Sequence, residues 1–112
     1  MSDYILIYIT ISNEEAATHI AEKLVSENLV ACANIIPTIK SVYKWQNQME
    51  TNSESVVLFK TTKSMEQIVI NRIKELHPYQ LPCVVSFDIA DGNGDFLNWI
   101  SQSVMESKHE SK

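Results

Sequence analysis

Three side chains in the sequence carry the ligand atoms that copper prefers. They are Cys32, His77 and Cys83, and thiolate and imidazole both suit soft or borderline metal ions. One interpretation is a metal site in a cleft. The other is structural, because a free cysteine is often buried and a histidine at the end of a helix can bond backbone carbonyls. The spacing of His77 and Cys83 matches no standard metal motif, so both interpretations stay open.

A second group of candidates is aromatic or charged. Tyr43 and Trp45 alternate along one segment and form either a ligand platform or an interface anchor, a frequent role of both residue types. Lys60 and Glu54 either bind an anion or pair with each other, and an ion pair is the commoner outcome. Tyr79 lies beside the candidate histidine in a stiff linker that contains two prolines.

No catalytic residue set is predicted. The chain has no group of nucleophile, base and acid, no glycine-rich phosphate loop and no paired-histidine zinc motif. Glu14 and Glu15 suit the start of a helix. The segment Asp91–Asp95 resembles the start of a calcium loop, but Phe96 and Gln102 occupy the positions that need glycine and glutamate. We therefore predict a loop there, and a protein that is not an enzyme.

Charge and composition narrow the class of partners. The chain has 112 residues, a net charge of −5 and a pI of about 5.1, which argues against nucleic acid and anionic membranes. No apolar run reaches the ~20 residues of a transmembrane helix, and we see no signal peptide. Two cysteines are too few for a disulfide framework. We expect one cytoplasmic domain over residues 1–112 with both thiols free.

The predicted elements follow the order β-α-β-β-α-β, with an added C-terminal helix. This is the ferredoxin-like arrangement of an α+β protein. Helices are expected to cover one face of the sheet, while the other face needs a partner surface. The predicted segments are a strand at Tyr4–Ile11, a helix from a capping box at Ser12–Glu15 to about Glu27 with Asn28 as its left-handed cap, a helix at Ser64–Leu76, a strand at Cys83–Ile89, a helix at about Asp95–Met105, and a flexible tail at about 106–112. The predicted buried stripes include Val25 and Ile68.

A long β-hairpin from Val30 to Thr62 organises the rest of the chain. Its first arm alone, Val30 to Gln46, would span roughly 55 Å, whereas a domain of this length has a radius of gyration of about 13 Å. Pro37 predicts a bulge or an edge strand, and a polar turn is expected within Gln46–Asn52. Because the hairpin outgrows its own core, another subunit is expected to cover its apolar residues Val42, Tyr43, Trp45 and Val57.

Five motifs give the chain a resemblance to a known family. They are Ala-Cys-Ala-Asn-Ile-Ile-Pro at 31–37, Ser-Val-Tyr-Lys-Trp at 41–45, Lys-Thr-Thr at 60–62, Glu-Leu-His-Pro-Tyr-Gln-Leu-Pro at 75–82 and Leu-Asn-Trp-Ile at 97–100. In this order they resemble the CutA family of divalent-cation-tolerance proteins, over nearly the whole chain. The resemblance implies a ferredoxin-like subunit, a tight homotrimer, a cytoplasmic setting and a role in tolerance to copper and other divalent metals.

The resemblance also bears on single residues. It places Cys32 at the family's usual cysteine, whereas Cys83 stands where the family often has an acid. A thiolate at that position would favour Cu(I), and a neutral thiol would be a small apolar residue. Six residues are assigned to a ligand cleft or trimer interface: Tyr43, Trp45, Glu54, Lys60, Tyr79 and Trp99.

Three hypotheses follow for the function. The first is a homotrimer that binds copper or another divalent metal ion weakly, through Cys32, His77 and Cys83. The second is a trimeric signalling or adaptor protein, similar in shape to the PII proteins, that binds a small ligand or an unidentified partner protein in its intersubunit clefts. The third is a structural scaffold.

Overall fold

The computed structural model describes residues 2–104 and has the predicted order of elements. Met105 and the predicted tail at 106–112 lie outside the described residues. The sheet is antiparallel with the strand order β2-β3-β1-β4, so the predicted ferredoxin-like α+β fold is confirmed. The elements are β1 (Tyr4–Ile11), α1 (Glu14–Ser26), β2 (Cys32–Trp45), β3 (Gln48–Thr62), a 3₁₀ turn (Lys63–Met65), α2 (Glu66–Leu76), β4 (Val84–Asp88) and α3 (Gly94–Ser103).

Strand β1 lies in the middle of the sheet, and its side chains alternate between two faces. The isoleucines at 5, 7, 9 and 11 are buried in one cluster with residues of α1 and α2. The opposite face, here called the open face, carries Tyr4, Leu6, Tyr8 and Thr10 of β1. Helices were expected on one face only, but α3 lies across one end of the open face, where the Tyr4 hydroxyl is 2.8 Å from the Ser101 hydroxyl.

The hairpin formed by β2 and β3 has a two-residue turn. Its turn is the two residues Gln46 and Asn47, both with positive φ (52° and 68°), as in the turns that match strand twist. The turn lies at the start of the predicted polar segment Gln46–Asn52, and the rest of that segment belongs to β3, which begins at Gln48. With this hairpin the described chain measures 50 × 27 × 22 Å and has a radius of gyration of 14.9 Å, above the ~13 Å of a compact domain.

One irregularity interrupts the hairpin at the predicted position. Between Ile36 and Ile39 the register of β2 against β3 shifts by one residue, so a bulge lies at Pro37 on an edge strand. The Ser55 hydroxyl donates to the Pro37 carbonyl at 2.6 Å. Val57, expected to need cover from another subunit, is fully buried in the subunit's own core because it faces α1.

Both ends of α1 are capped by asparagine. The Asn13 side chain accepts a hydrogen bond from the Ala16 amide at 2.8 Å, so Asn13, and not Ser12, is the N-cap. Asn28 has φ 61°, and the amides of Asn28 and Leu29 donate to backbone carbonyls of the last helical turn. This is the Schellman arrangement, and the predicted left-handed cap is confirmed.

Helix α2 begins differently from the prediction. A 3₁₀ turn precedes it, and the helix starts at Glu66 with Met65 at its N-cap position. Ile68, predicted to be buried, is 50% exposed, and Val25 of α1 is also exposed. Both lie at the margins of their apolar stripes, where the helix turns away from the sheet. Among residues 2–104, no helix combines the length and the apolar character needed to cross a membrane.

Candidate functional site

His77 joins the end of α2 to the end of β1. Its Nε2 lies 2.7 Å from the Thr10 carbonyl oxygen, and its Nδ1 accepts from the Tyr79 amide at 3.2 Å. These two contacts require Nε2 to carry the proton. Both ring nitrogens are engaged and the side chain is buried. His77 therefore has the geometry of a structural residue that links the end of α2 to the end of β1 by hydrogen bonds.

Tyr79 forms a partly buried hydrogen bond with Glu54. The tyrosine hydroxyl donates to the Glu54 carboxylate at 2.7 Å, and Glu54 is only 9% exposed. Burial, followed by the hydrogen bond and charge of Glu54, raises the pKa of Tyr79 well above its ordinary value. The rings of His77 and Tyr79 also pack in an edge-to-face arrangement, with centroids 4.6 Å apart. The phenol is therefore held as a neutral donor to a carboxylate that has little contact with water.

A cavity of about 860 Å³ opens beside this pair, between the outer hairpin, the end of β1 and the linker after α2. We call it the hairpin cavity. Four aromatic rings line it, from Tyr8, Tyr43, Trp45 and Tyr79. Its charged or reactive lining residues are Lys44, Glu50, Glu54 and Cys83. Cavities of this size accommodate organic molecules, and this one is too large for a bare metal ion to fill.

Strand pairing explains why these residues meet. Tyr43 is opposite Glu50, and Trp45 is opposite Gln48. On β3, Gln48, Glu50 and Glu54 alternate onto the same face as Leu58, which is paired with Tyr8. The outer hairpin therefore continues the open face of the sheet, with its aromatic residues on the side of Tyr8. Tyr8, Thr10 and Glu50 were not predicted as site residues, although the strand alternation was a signal for them.

The two cysteines lie far apart within one chain. Cys32 begins β2 and Cys83 precedes β4, and these strands are the opposite edges of the sheet. Three strand spacings separate them, about 14 Å sideways. Within residues 2–104, no cluster of three or more His, Cys, Asp or Glu side chains is arranged to hold a metal ion. One chain alone therefore does not bring Cys32, His77 and Cys83 together as a ligand set.

Lys60 and Trp99 belong to a different part of the open face. The Lys60 ammonium donates to the Asn34 side chain at 2.6 Å and lies 5.8 Å from the centroid of the Phe96 ring. Phe96 also packs against Trp99, with centroids 5.4 Å apart. Lys60 is thus engaged by groups other than Glu54, and Trp99 lies on α3, away from the hairpin cavity.

Comparisons with known proteins agree on one family. Residues 5–103 match the family described as CutA1 divalent ion tolerance protein. The chain is 40% identical over 98 residues to the divalent-cation tolerance protein CutA of Thermus thermophilus, over 88% of this chain and 95% of that protein. It is 37% identical over 103 residues to Protein CutA 1, chloroplastic, of Oryza sativa subsp. japonica.

That second match covers 92% of this chain but 58% of the rice protein, so the chain spans little more than half the length of this relative. Among solved structures, the crystal structure of CutA1 from Oryza sativa superposes with a TM-score of 0.91 at 35% identity. The superposition covers 94% of this chain and 96% of that one. The similarity therefore extends over almost all of the described fold, including the long hairpin.

Proposed function

The chain belongs to the CutA1 divalent ion tolerance family, and on that premise we propose that it acts in divalent-cation tolerance as a cytoplasmic homotrimer that binds copper or another divalent metal ion. The proposed role is binding and not catalysis. One observation carries the assembly: the hairpin extends beyond the subunit's own core and exposes apolar side chains there. Val42 is 62% exposed and Met49 is 69% exposed.

The exposed apolar surface continues beyond the hairpin. Phe87 of the edge strand β4 and Leu81 of the linker are also exposed, and large apolar side chains are costly to leave in water. Neighbouring copies in a closed ring would cover these residues. The test is light scattering of the purified protein at micromolar concentration. We expect about three times the subunit mass of 12.8 kDa, and a stable monomer would refute the assembly.

The geometry of His77 limits which residues could bind a metal ion. Since both of its ring nitrogens are engaged and one chain lacks a three-ligand cluster, a ligand set within a single subunit does not fit. We propose instead that metal ligands come from two subunits. Cys32 and Cys83 lie near opposite edges of the sheet, and opposite edges of neighbouring copies can meet in a ring.

The metal proposal is tested by titrating the reduced protein with Cu(I) and Cu(II). We expect saturable binding that weakens in Cys32→Ser and Cys83→Ser, while His77→Ala tests whether the histidine also contributes. His19→Ala is the matched control because His19 is exposed on α1. Absence of saturable binding, or equal binding by all four variants, would remove the metal proposal and leave the family assignment intact.

A second candidate function is binding of a small ligand in the clefts, in the manner of a PII-like signalling or adaptor protein. The hairpin cavity favours it, because its volume of about 860 Å³ suits an organic molecule. A thermal-shift screen with nucleotides, small acids and small amines tests it. Stabilisation by any of them, abolished by a substitution in the cavity, would support this candidate over the metal-binding one.

We also propose that the protein is located in the cytoplasm. Both cysteines are free thiols, which supports a reducing compartment such as the cytoplasm. The rice relative is named chloroplastic, so the location needs its own test by cell fractionation of the tagged protein. The net charge of −5 supports the prediction that neither nucleic acid nor an anionic membrane is a partner.

A further inference from the structure

The loop between β4 and α3 contains the sequence Asp-Gly-Asn-Gly-Asp at 91–95, which the calcium pattern did not explain. Its Asn93 is followed by glycine, and none of the chain's other asparagines is. Asparagine is one of the chemically labile residues of proteins, because the backbone nitrogen of the next residue can attack its side-chain carbonyl carbon. Proximity makes such an intramolecular attack far faster than attack by a separate molecule.

The attacking nitrogen belongs to Gly94, and the fold leaves it accessible. Gly94 is the first residue of α3, so its amide has no partner inside the helix. A Cβ at this position would meet nothing within 4 Å beyond its own neighbours in the chain. Because glycine lacks that atom, the backbone can rotate into the conformation in which the ring closes. Both Asn93 and Gly94 are exposed.

The side chain of Asn93 is held where attack on it is assisted. Its Oδ1 accepts hydrogen bonds from the amides of Asp95 at 2.8 Å and Phe96 at 3.3 Å. Negative charge develops on this oxygen when a nitrogen attacks the adjoining carbon, and donors aimed at a developing oxyanion lower the barrier. The positive N-terminal end of the ten-residue helix α3 acts in the same direction.

The composition and place of the loop indicate that it stays in water when copies associate. Residues 91–95 carry two carboxylates and no large apolar side chain, whereas interface cores are depleted of charged residues. The loop follows β4, whose Asp88 pairs with Ile5 near the start of β1. The outer hairpin extends beyond the other end of β1, where Ile11 pairs with Ser55. The loop and the outer hairpin therefore lie at opposite ends of the sheet.

We propose that Asn93 is a site of spontaneous deamidation through the backbone nitrogen of Gly94. That nitrogen forms a bond to the Asn93 side-chain carbon and gives up its proton. The bond from the carbon to Nδ2 breaks, and Nδ2 takes up the proton and leaves as ammonia. Water then opens the cyclic imide at either carbonyl, which yields aspartate or isoaspartate. This inference goes beyond the proposed function because no metal, ligand or partner takes part.

The two products differ in their effect on α3. Aspartate is as good an N-cap as asparagine, so it keeps the hydrogen bonds from Asp95 and Phe96. In isoaspartate the main chain runs through the side-chain carbon and gains a methylene, so the carboxylate no longer occupies the capping position. The first turn of α3 is then loosened, while the fully buried Ile100 anchors the helix further along.

Peptide mapping after ageing in water enriched in heavy oxygen tests the proposal. The purified native protein is incubated in warm neutral buffer for weeks, and any carboxylate formed from an amide incorporates the label. We expect label at Asn93, both as aspartate and as isoaspartate, and a species with one negative charge more than the −5 of the chain. Asn13 is the internal control, because it also caps a helix and accepts from the Ala16 amide at 2.8 Å but is followed by Glu14. It is expected to stay unlabelled while Asn93 is converted.

Two variants separate the reaction from its consequence. Gly94→Ala is expected to fold, because Gly94 has no positive φ and its surroundings leave room for a methyl group. It is expected to slow labelling at Asn93 by at least about threefold. Asn93→Asp is one of the products with an unchanged main chain. In brief chymotrypsin digestion we expect the aged acidic fraction to be cut after Phe96 faster than the unaged protein, and Asn93→Asp to match the unaged protein.

Several results would overturn the proposal. Absence of label at Asn93 means that the native protein blocks the reaction. Label at Asn13 as fast as at Asn93, or an unchanged rate in Gly94→Ala, means that the glycine plays no part. If the aged acidic fraction is cut no faster than Asn93→Asp, the loosening of α3 is refuted.

Discussion

Replacing Tyr79 with phenylalanine tests whether one hydrogen-bond donor, the Tyr79 hydroxyl, stabilises the buried carboxylate of Glu54 in the folded protein. The substitution removes the hydroxyl that donates at 2.7 Å and leaves the ring that packs beside His77. A hydrogen bond to a charged group contributes about 1.5–3 kcal/mol, and Glu54, 9% exposed, has little water to replace it. We expect the free energy of unfolding to fall by about 2 kcal/mol at pH 7.

Tyr43→Phe is the matched control. The Tyr43 hydroxyl accepts a hydrogen bond from the Asn52 side chain at 2.6 Å, but Tyr43 is 41% exposed, so water can replace that bond. We expect a change within about 0.5 kcal/mol, as is usual for surface positions. Both variants are measured by urea denaturation at one fixed protein concentration, because association would otherwise shift the apparent stability.

A double-mutant cycle completes the test. Glu54→Gln is combined with Tyr79→Phe, and the two groups are expected to show a coupling free energy of about 1 kcal/mol or more. The reasoning is refuted if Tyr79→Phe costs no more than Tyr43→Phe, or if the effects of Glu54→Gln and Tyr79→Phe simply add. In either case the carboxylate would be stabilised by something other than the phenol.

Three further predictions concern pH and the backbone. Burial and Glu54 raise the pKa of Tyr79 above its ordinary value of 10.0, so its contribution is complete below pH 10 and is lost as the pH rises further; urea midpoints should fall above pH 10, less steeply in Tyr79→Phe, and equal slopes would contradict this. The hydrogen bond from Arg72 lowers the pKa of Glu27 below 4.5, so the stability that it adds is present above pH 4.5 and is lost on acidification; Arg72→Gln should flatten the acid limb, and an unchanged limb would count against the pair. Asn28 has φ 61°, so Asn28→Ala should cost about 1 kcal/mol while Asn28→Gly should be tolerated, and thermal unfolding that fails to separate the two variants would disprove the assignment of strain.

The sequence predicted best where pattern and backbone preference agree. Alternating isoleucines placed β1 at Tyr4–Ile11, and the structure has the same bounds. Asn28 tolerates a left-handed backbone better than most residues, which allowed the end of α1 to be predicted. Pro37 lacks an amide proton, and the bulge lies where that donor is missing.

Local sequence patterns failed to single out the cap or the turn residues where neighbouring residues have similar backbone preferences. Ser12 and Asn13 are both good N-caps, and in the structure the Asn13 side chain makes the capping hydrogen bond. The hairpin turn contains no glycine, yet Gln46 and Asn47 both adopt positive φ. The many hydrogen bonds between β2 and β3 outweigh the local cost of those backbone angles. A short stretch of sequence around the turn does not contain the information that these strands pair.

The candidate site was only partly predictable. Tyr79 and Glu54 are 25 residues apart in the sequence, so their bond depends on tertiary placement that periodicity does not contain. His77 was one of the expected copper ligands, and the structure gives both of its nitrogens to the backbone. The chemical groups of a side chain determine which ligands it can bind. The packing around it determines which of these it is free to bind in the folded protein.

The bulge at Pro37 sets the phase of the outer hairpin. Before it, the even-numbered residues Cys32 and Asn34 pair with β3 residues of the open face, and beyond it the odd-numbered Tyr43 and Trp45 do so. Loss of a single residue there would reverse this parity, so that Val42 and Lys44 would take the open-face positions that Tyr43 and Trp45 now occupy. Length changes in this arm are thus compatible with the aromatic lining only in steps of two, which makes one irregular peptide the determinant of what the distant cavity presents.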